Sequence, residues 1–118
     1  MDKKNTVELL EYILSSITLI EKRFAAIGSS GDFLKDDDGL EKLDSISMRL
    51  QTIGEAVKNI LKTDSQALGG DMEYWGNIVK LREIISHHYI DINAEIIYDI
   101  CSGELAELKN KIEVALSK

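Results

Sequence analysis

The stretch LREIISHHY, from Leu81 to Tyr89, concentrates the groups of this chain that could act on a phosphodiester. Arg82 supplies a permanently charged, planar fork that matches a phosphate. His87 and His88, both histidines of the sequence, stand side by side shortly after it, and imidazole is the side chain whose ordinary proton affinity suits transfer near neutral pH. Tyr89 adds a phenol, Ser86 a hydroxyl, and Glu83 a negative charge directly after the arginine. Cleaving RNA without a metal takes a base for the 2'-hydroxyl, an acid for the departing 5'-oxygen, and positive charge for the crowded phosphorane. Arg82 and His87 are the catalytic candidates on that count; His88, Glu83 and Ser86 are accessory candidates. No set of carboxylates suited to a divalent ion accompanies the stretch, so neither a metal nor another cofactor is expected.

Each of these residues also has an ordinary structural role open to it. Arg82 can be a surface group paired with Glu83 or Glu95, the histidines can favour the negative end of a helix macrodipole, and Tyr89 can lie half-buried with its hydroxyl at the rim. Helix geometry adds a constraint. In an ideal α-helix Arg82 and Tyr89 share one face with Ser86 between them, whereas His87 lies about 140° round the axis from Arg82. Cooperation within one chain requires the helix to end or distort near Ser86; otherwise a two-fold dimer must bring Arg82 and His87 of both copies to one cleft.

The elements that hold this stretch read as helices throughout. The chain has 118 residues and no proline, with few glycines and abundant Leu, Ile, Glu and Lys, so long helices meet few obligatory breakers. Apolar residues fall at helical spacing from Asn5 to Ile27, with Val7, Leu10, Leu14, Ile17 and Phe24 as the stripe and Leu9, Ile13 and Ile20 widening it. GSSG at Gly28–Gly31 breaks the pattern, and Asp36, Asp37 and Asp38 offer caps for the next helix. From about Leu40 to Leu61, Leu43, Ile46, Leu50, Ile53, Val57 and Ile60 form an alternating three-four seam, to be read as bundle core before coiled-coil dimerisation. After Gly69 and Gly70, Asp71 can cap a third helix bearing Trp75, Ile78, Leu81 and Ile85, with the chemical stretch at its end. YIDIN suits a turn in which Asp91 or Asn93 caps a fourth helix through Ile96, Ile97 and Ile100, and a last segment puts Leu105, Leu108, Ile112 and Ala115 or Leu116 on one face. The sum is an all-α, up-and-down bundle of four to five helices forming a single domain over residues 1–118.

Composition bounds the setting. The single Cys101 allows no intramolecular disulfide, and no apolar run is long enough to span a bilayer or resembles a leader, so a cytoplasmic protein without a membrane partner is expected. A formal net charge of -7 repels nucleic acid at long range, so any contact with RNA must be made locally through a small cationic site.

Arg82, His87 and Tyr89 together spell R-x4-H-x-Y, which resembles the signature of the HEPN superfamily and of its HepT-like toxin branch. LQTIGEAV at Leu50–Val57 is similar to the family's recurring IGEA segment, Trp75 precedes Arg82 at the family's spacing, and IDINAEIIYDI after Tyr89 resembles its acidic-apolar continuation. The resemblance runs from about Ser45 to Ile100. It implies an HEPN-like bundle, a homodimer, and a metal-independent endoribonuclease toxin that uses Arg82 and His87 on RNA rather than DNA. It also implies a partner, a minimal nucleotidyltransferase antitoxin that silences the toxin by attaching AMP to Tyr89. The sequence departs from the family at Glu83, where a small polar residue is usual and where a negative charge can neutralise Arg82. The alternative is a non-catalytic HEPN module that binds a nucleotide or serves only in partner assembly; a helical adaptor without HEPN chemistry is a third class.

Overall fold

The computed structural model describes residues 3–87 and 93–118, with side chains over 5–85 and 93–118. Five α-helices follow one another: α1 Lys3–Phe24, α2 Asp37–Thr63, α3 Met72–His87, α4 Ala94–Gly103 and α5 Leu105–Leu116, with a 3₁₀ turn at Ser30–Phe33. No strand occurs among the described residues. The all-helical bundle expected from the sequence is therefore the fold.

Side-chain pairs fix how the helices run. Thr6 bonds to Asp64 at 2.8 Å, Tyr12 to Thr52 at 2.7 Å and Arg49 to Ser16 at 3.4 Å, so α1 and α2 are antiparallel along nearly their whole length. Gly54 of α2 abuts Ile78 and Arg82 of α3, while Trp75 near the start of α3 donates its indole N–H to the Leu68 carbonyl at 3.0 Å, just past the end of α2. Hence α3 runs back along α2. Lys109 pairs with Glu21 at 3.1 Å, and residues at the other end of α5 share a cleft with Thr6 and Val7, which makes α5 antiparallel to α1.

The caps follow the side-chain chemistry of the sequence. Asp36 accepts from the Gly39 N–H at 2.7 Å, Asp71 from the Tyr74 N–H at 3.1 Å, and Asn93 from the N–H groups of Glu95 and Ile96, each quenching donors that a helix start leaves without partners. Glu104 ends α4 and opens α5, so these two helices follow one another without an intervening loop. The predicted seam of α2 is buried at Leu43, Ile46, Leu50, Ile53, Val57 and Ile60, each side chain removing about 1.5–3 kcal/mol of unfavourable exposure to water.

Three details differ from the spacing-based reading. α1 stops at Phe24, and Val7 in its stripe is 43 % exposed, because only one end of α5 reaches that part of the helix. Ile96 is also largely exposed, leaving Ile97 and Ile100 to face the core. The GSSG segment does more than connect. It leads into the 3₁₀ turn, which buries Phe33 completely against Phe24, and this turn crosses the start of α2 so closely that a Cβ on Gly39 would collide with the Asp32 carbonyl.

Candidate active site at a helix seam

Arg82 stands where α2 and α3 approach most tightly. A Cβ on Gly54 would lie 3.1 Å from the Ile78 carbonyl oxygen, 3.2 Å from Arg82 Cβ and 3.3 Å from Arg82 N. Glycine inside a helix costs about 1 kcal/mol relative to alanine, and here that cost permits backbone-to-backbone contact. The contact sets the neighbouring residue, Glu55, against the arginine: Arg82 Nε and Glu55 Oε2 are 2.6 Å apart. Glu83 and Glu95, the partners considered from sequence, are not the ones in this ion pair. Consecutive residues on a helix do not face each other, and Glu83 accordingly points to solvent.

The two side chains of the pair are 42 % and 48 % exposed. An ion pair this open contributes about 0–1 kcal/mol to stability, so its effect is on orientation: it fixes the Nε edge of the guanidinium. Nε is one of five donors, and the group keeps others with which to grip a phosphate. An anion can also displace Glu55 at little energetic loss.

α3 remains a regular α-helix through its last residue, His87. Arg82 and His87 therefore occupy positions about 140° apart on one helix, with no distortion before Ser86. The side chains of Ser86 and His87, and the whole of His88, Tyr89 and Asp91, lie outside the described residues. Of the predicted constellation, the structure places Arg82 and Glu83 in full.

The opposite flank of α2 holds a polar cluster that composition and motif did not single out. The Tyr12 hydroxyl donates to Thr52 Oγ1 at 2.7 Å, Thr52 Oγ1 donates to the Arg49 carbonyl at 3.0 Å, and Arg49 Nη1 donates to Ser16 Oγ at 3.4 Å. Burial acts to raise the Tyr12 phenol, but hydrogen bonds with Thr52 and Ser16 and the charge of Arg49 outweigh it and leave the phenol below its ordinary value. Glu55 had a readable signal, since it directly follows the helix-interior glycine of the IGEA segment; the Tyr12 cluster had none.

Two clefts of about 290 Å³ flank the C-terminal part of α5, one lined by Thr6, Leu10, Asp64 and Ala67 and the other by Asp71, Trp75 and Lys111; neither includes Arg82 or Glu55. Among the described residues no three His, Cys, Asp or Glu side chains converge as a metal site, and no helix is long and apolar enough to cross a membrane.

A helical bundle that presents an arginine at a glycine-mediated seam, with a histidine at the end of the same helix, defines the class. The chain belongs to the HepT-like ribonuclease family: the family pattern described as "Ribonuclease HepT-like" matches residues 13–115. A protein of Caldanaerobacter subterraneus subsp. tengcongensis, named "Putative RNase", is 32 % identical over 110 residues, which cover 92 % of each chain. A second protein with that name, from Methanocaldococcus jannaschii, is 33 % identical over 82 residues, or 70 % of this chain and 64 % of the other. No solved structure matches the chain significantly.

Proposed function

We propose that the protein is a metal-independent endoribonuclease of the HepT-like toxin type, working as a homodimer with Arg82 and His87 in a shared cleft. The observation that carries this reading is the Gly54 seam, which fixes the motif arginine of a HepT-like chain against Glu55. Because Arg82 and His87 diverge on one regular helix, a cleft that combines arginines and histidines from two copies is the simpler route to a complete site. In that cleft His87 of one copy takes the 2'-hydroxyl proton, the 2'-oxygen attacks phosphorus, and the bond to the 5'-oxygen breaks. The protonated His87 of the partner subunit gives its proton to that oxygen. Arg82 binds the phosphate and the charge that builds on it. The products carry a 2',3'-cyclic phosphate and a 5'-hydroxyl.

Glu55 is a positioning residue in this scheme. It aims the guanidinium and withholds part of its charge until a phosphate arrives. A minimal nucleotidyltransferase antitoxin in the same cytoplasm, attaching AMP to Tyr89, would silence the site through bulk and negative charge close to Arg82. The exposed Glu83 beside Arg82 favours a second reading, a module that binds nucleotide without turning RNA over.

Purified protein free of AMP is expected to cleave RNA in chelator and leave cyclic phosphate ends, with His87→Ala reducing the rate by at least about a hundredfold. Cleavage that persists in His87→Ala removes His87 from the mechanism. Nucleotide binding with no RNA turnover, unchanged by that substitution, selects the second reading.

A further inference from the structure

We infer that Arg49, backed by the buried Ser16 hydroxyl and flanked by those of Tyr12 and Thr52, forms a second phosphate-binding site that grips the RNA strand a few nucleotides from the bond being cut. This rests on the ribonuclease reading and adds to it a subsite on the opposite flank of α2. Four cations of the surface are tied to carboxylates: Lys35 to Asp32, Lys42 to Asp38, Lys109 to Glu21 and Arg82 to Glu55. Arg49 is different. Its described side-chain partners are the Ser16 and Tyr12 hydroxyls, which support a guanidinium without discharging it. In a chain of net charge -7, a half-buried arginine with its charge intact is a local attractor for an anion.

The surrounding groups suit a phosphate. A hydroxyl both donates and accepts, so the hydrogens of Tyr12 and Thr52 can turn from each other and from the Arg49 carbonyl to an incoming phosphate oxygen. Hydrogen bonds with Thr52 and Ser16, and after them the charge of Arg49, hold the Tyr12 phenol below its ordinary value against the effect of burial.

The placement along α2 suits a strand that also reaches Arg82. Thr52 and Glu55 are three residues, about one helical turn, apart on α2; the first is bonded to Tyr12 on α1 and the second to Arg82 on α3. Packed helix axes lie about 8–10 Å apart, so the two guanidinium groups are separated by on the order of 10–20 Å, a distance that a single strand a few nucleotides long spans. Met48, next to Arg49 on α2, is 60 % exposed, an apolar surface that a base can cover.

The test uses the full chain and two substrates, an RNA octamer and a dinucleotide too short to reach Arg49. Arg49→Gln is expected to raise KM for the octamer about tenfold, the worth of one charge-assisted hydrogen bond, with kcat within twofold and dinucleotide kinetics unchanged. In the non-cleaving His87→Ala background, Arg49→Gln should reduce the slope of log affinity against log salt by about 0.7, one phosphate contact on a single strand. Arg49→Lys should restore most of both. Tyr12→Phe combined with Thr52→Ala, at the exposed rim, should give a smaller rise confined to the octamer, and serves if Arg49→Gln does not fold. The inference fails if the parent cleaves the octamer and neither set of substitutions changes KM or the salt slope, or if both substrates are affected equally. A parent that binds and cleaves neither substrate overturns the ribonuclease reading itself, and this subsite with it.

Discussion

The two flanks of α2 hold their arginines in contrasting ways. On the α3 side, Arg82 is pressed close to the helix backbone by Gly54 and pinned by a carboxylate at 2.6 Å. On the α1 side, Arg49 rests among hydroxyls and keeps its charge. A carboxylate aims a guanidinium and dampens it; hydroxyls leave it undirected and strong. The first arrangement suits a group that must meet one atom in one orientation, and the second suits a group that must hold a flexible polyanion.

The severest way to break this contrast is to remove the aimed arginine. Arg82→Ala is expected to lower kcat by about 10²–10³, as when a preorganised charge is taken from a transition state, with a thermal midpoint close to the parent's because the ion pair is exposed. Equal losses in activity and stability would instead mark Arg82 as a packing residue. Next comes the seam. Gly54→Leu forces a side chain into contacts already at 3.1–3.3 Å and should cost about 1–3 kcal/mol in urea unfolding. Gly54→Ala is the sharper variant: its helix propensity gain of about 1 kcal/mol offsets the crowding, so stability should stay near the parent's while kcat falls as Arg82 is displaced.

A subtler change sits at the carboxylate. Glu55→Gln keeps the shape and removes the charge, so KM for RNA should fall a few-fold as Arg82 gains effective charge, and kcat should fall with it as aim is lost. Unchanged values for both would leave Glu55 no positioning role. The smallest expected effect concerns alkali. Burial pushes the Cys101 thiol from 9.0 up to about 12 and, with the nearby charges of Glu107, Glu104 and Asp71, the Tyr74 phenol from 10.0 up to about 12. Both groups favour the protonated form when folded, so their stabilisation is whole below pH 9.0 and is lost progressively up to about 12. Urea midpoints across that window should decline, and Cys101→Ala should remove the part that begins first.

How far the molecule could be read from its sequence depended on the range of the interaction. The α2 stripe was legible because that helix is covered by α1 on one side and α3 on the other, so every core position of its three-four spacing is buried. Val7 and Ile96 were misplaced because spacing identifies a face but not how far a neighbouring helix extends over it. At the site, the type and position of Arg82 were legible as chemistry, whereas its partner was marked only indirectly: Glu55 lies 27 residues upstream and meets it only through tertiary approach. Gly54 was the one local hint of that approach. Tyr12, Ser16, Arg49 and Thr52 are ordinary polar residues on two helices, and only antiparallel packing makes them a cluster.

Cys101 is the chain's sole cysteine, enclosed by the core, and its proton is held so firmly that little thiolate exists at neutral pH. The native protein thus offers a nearly silent background for thiol-directed probes. A cysteine introduced at the open surface of α2, as in Met48→Cys, would take a spin label selectively, and the separation between labels on two copies would report directly how the protomers face each other.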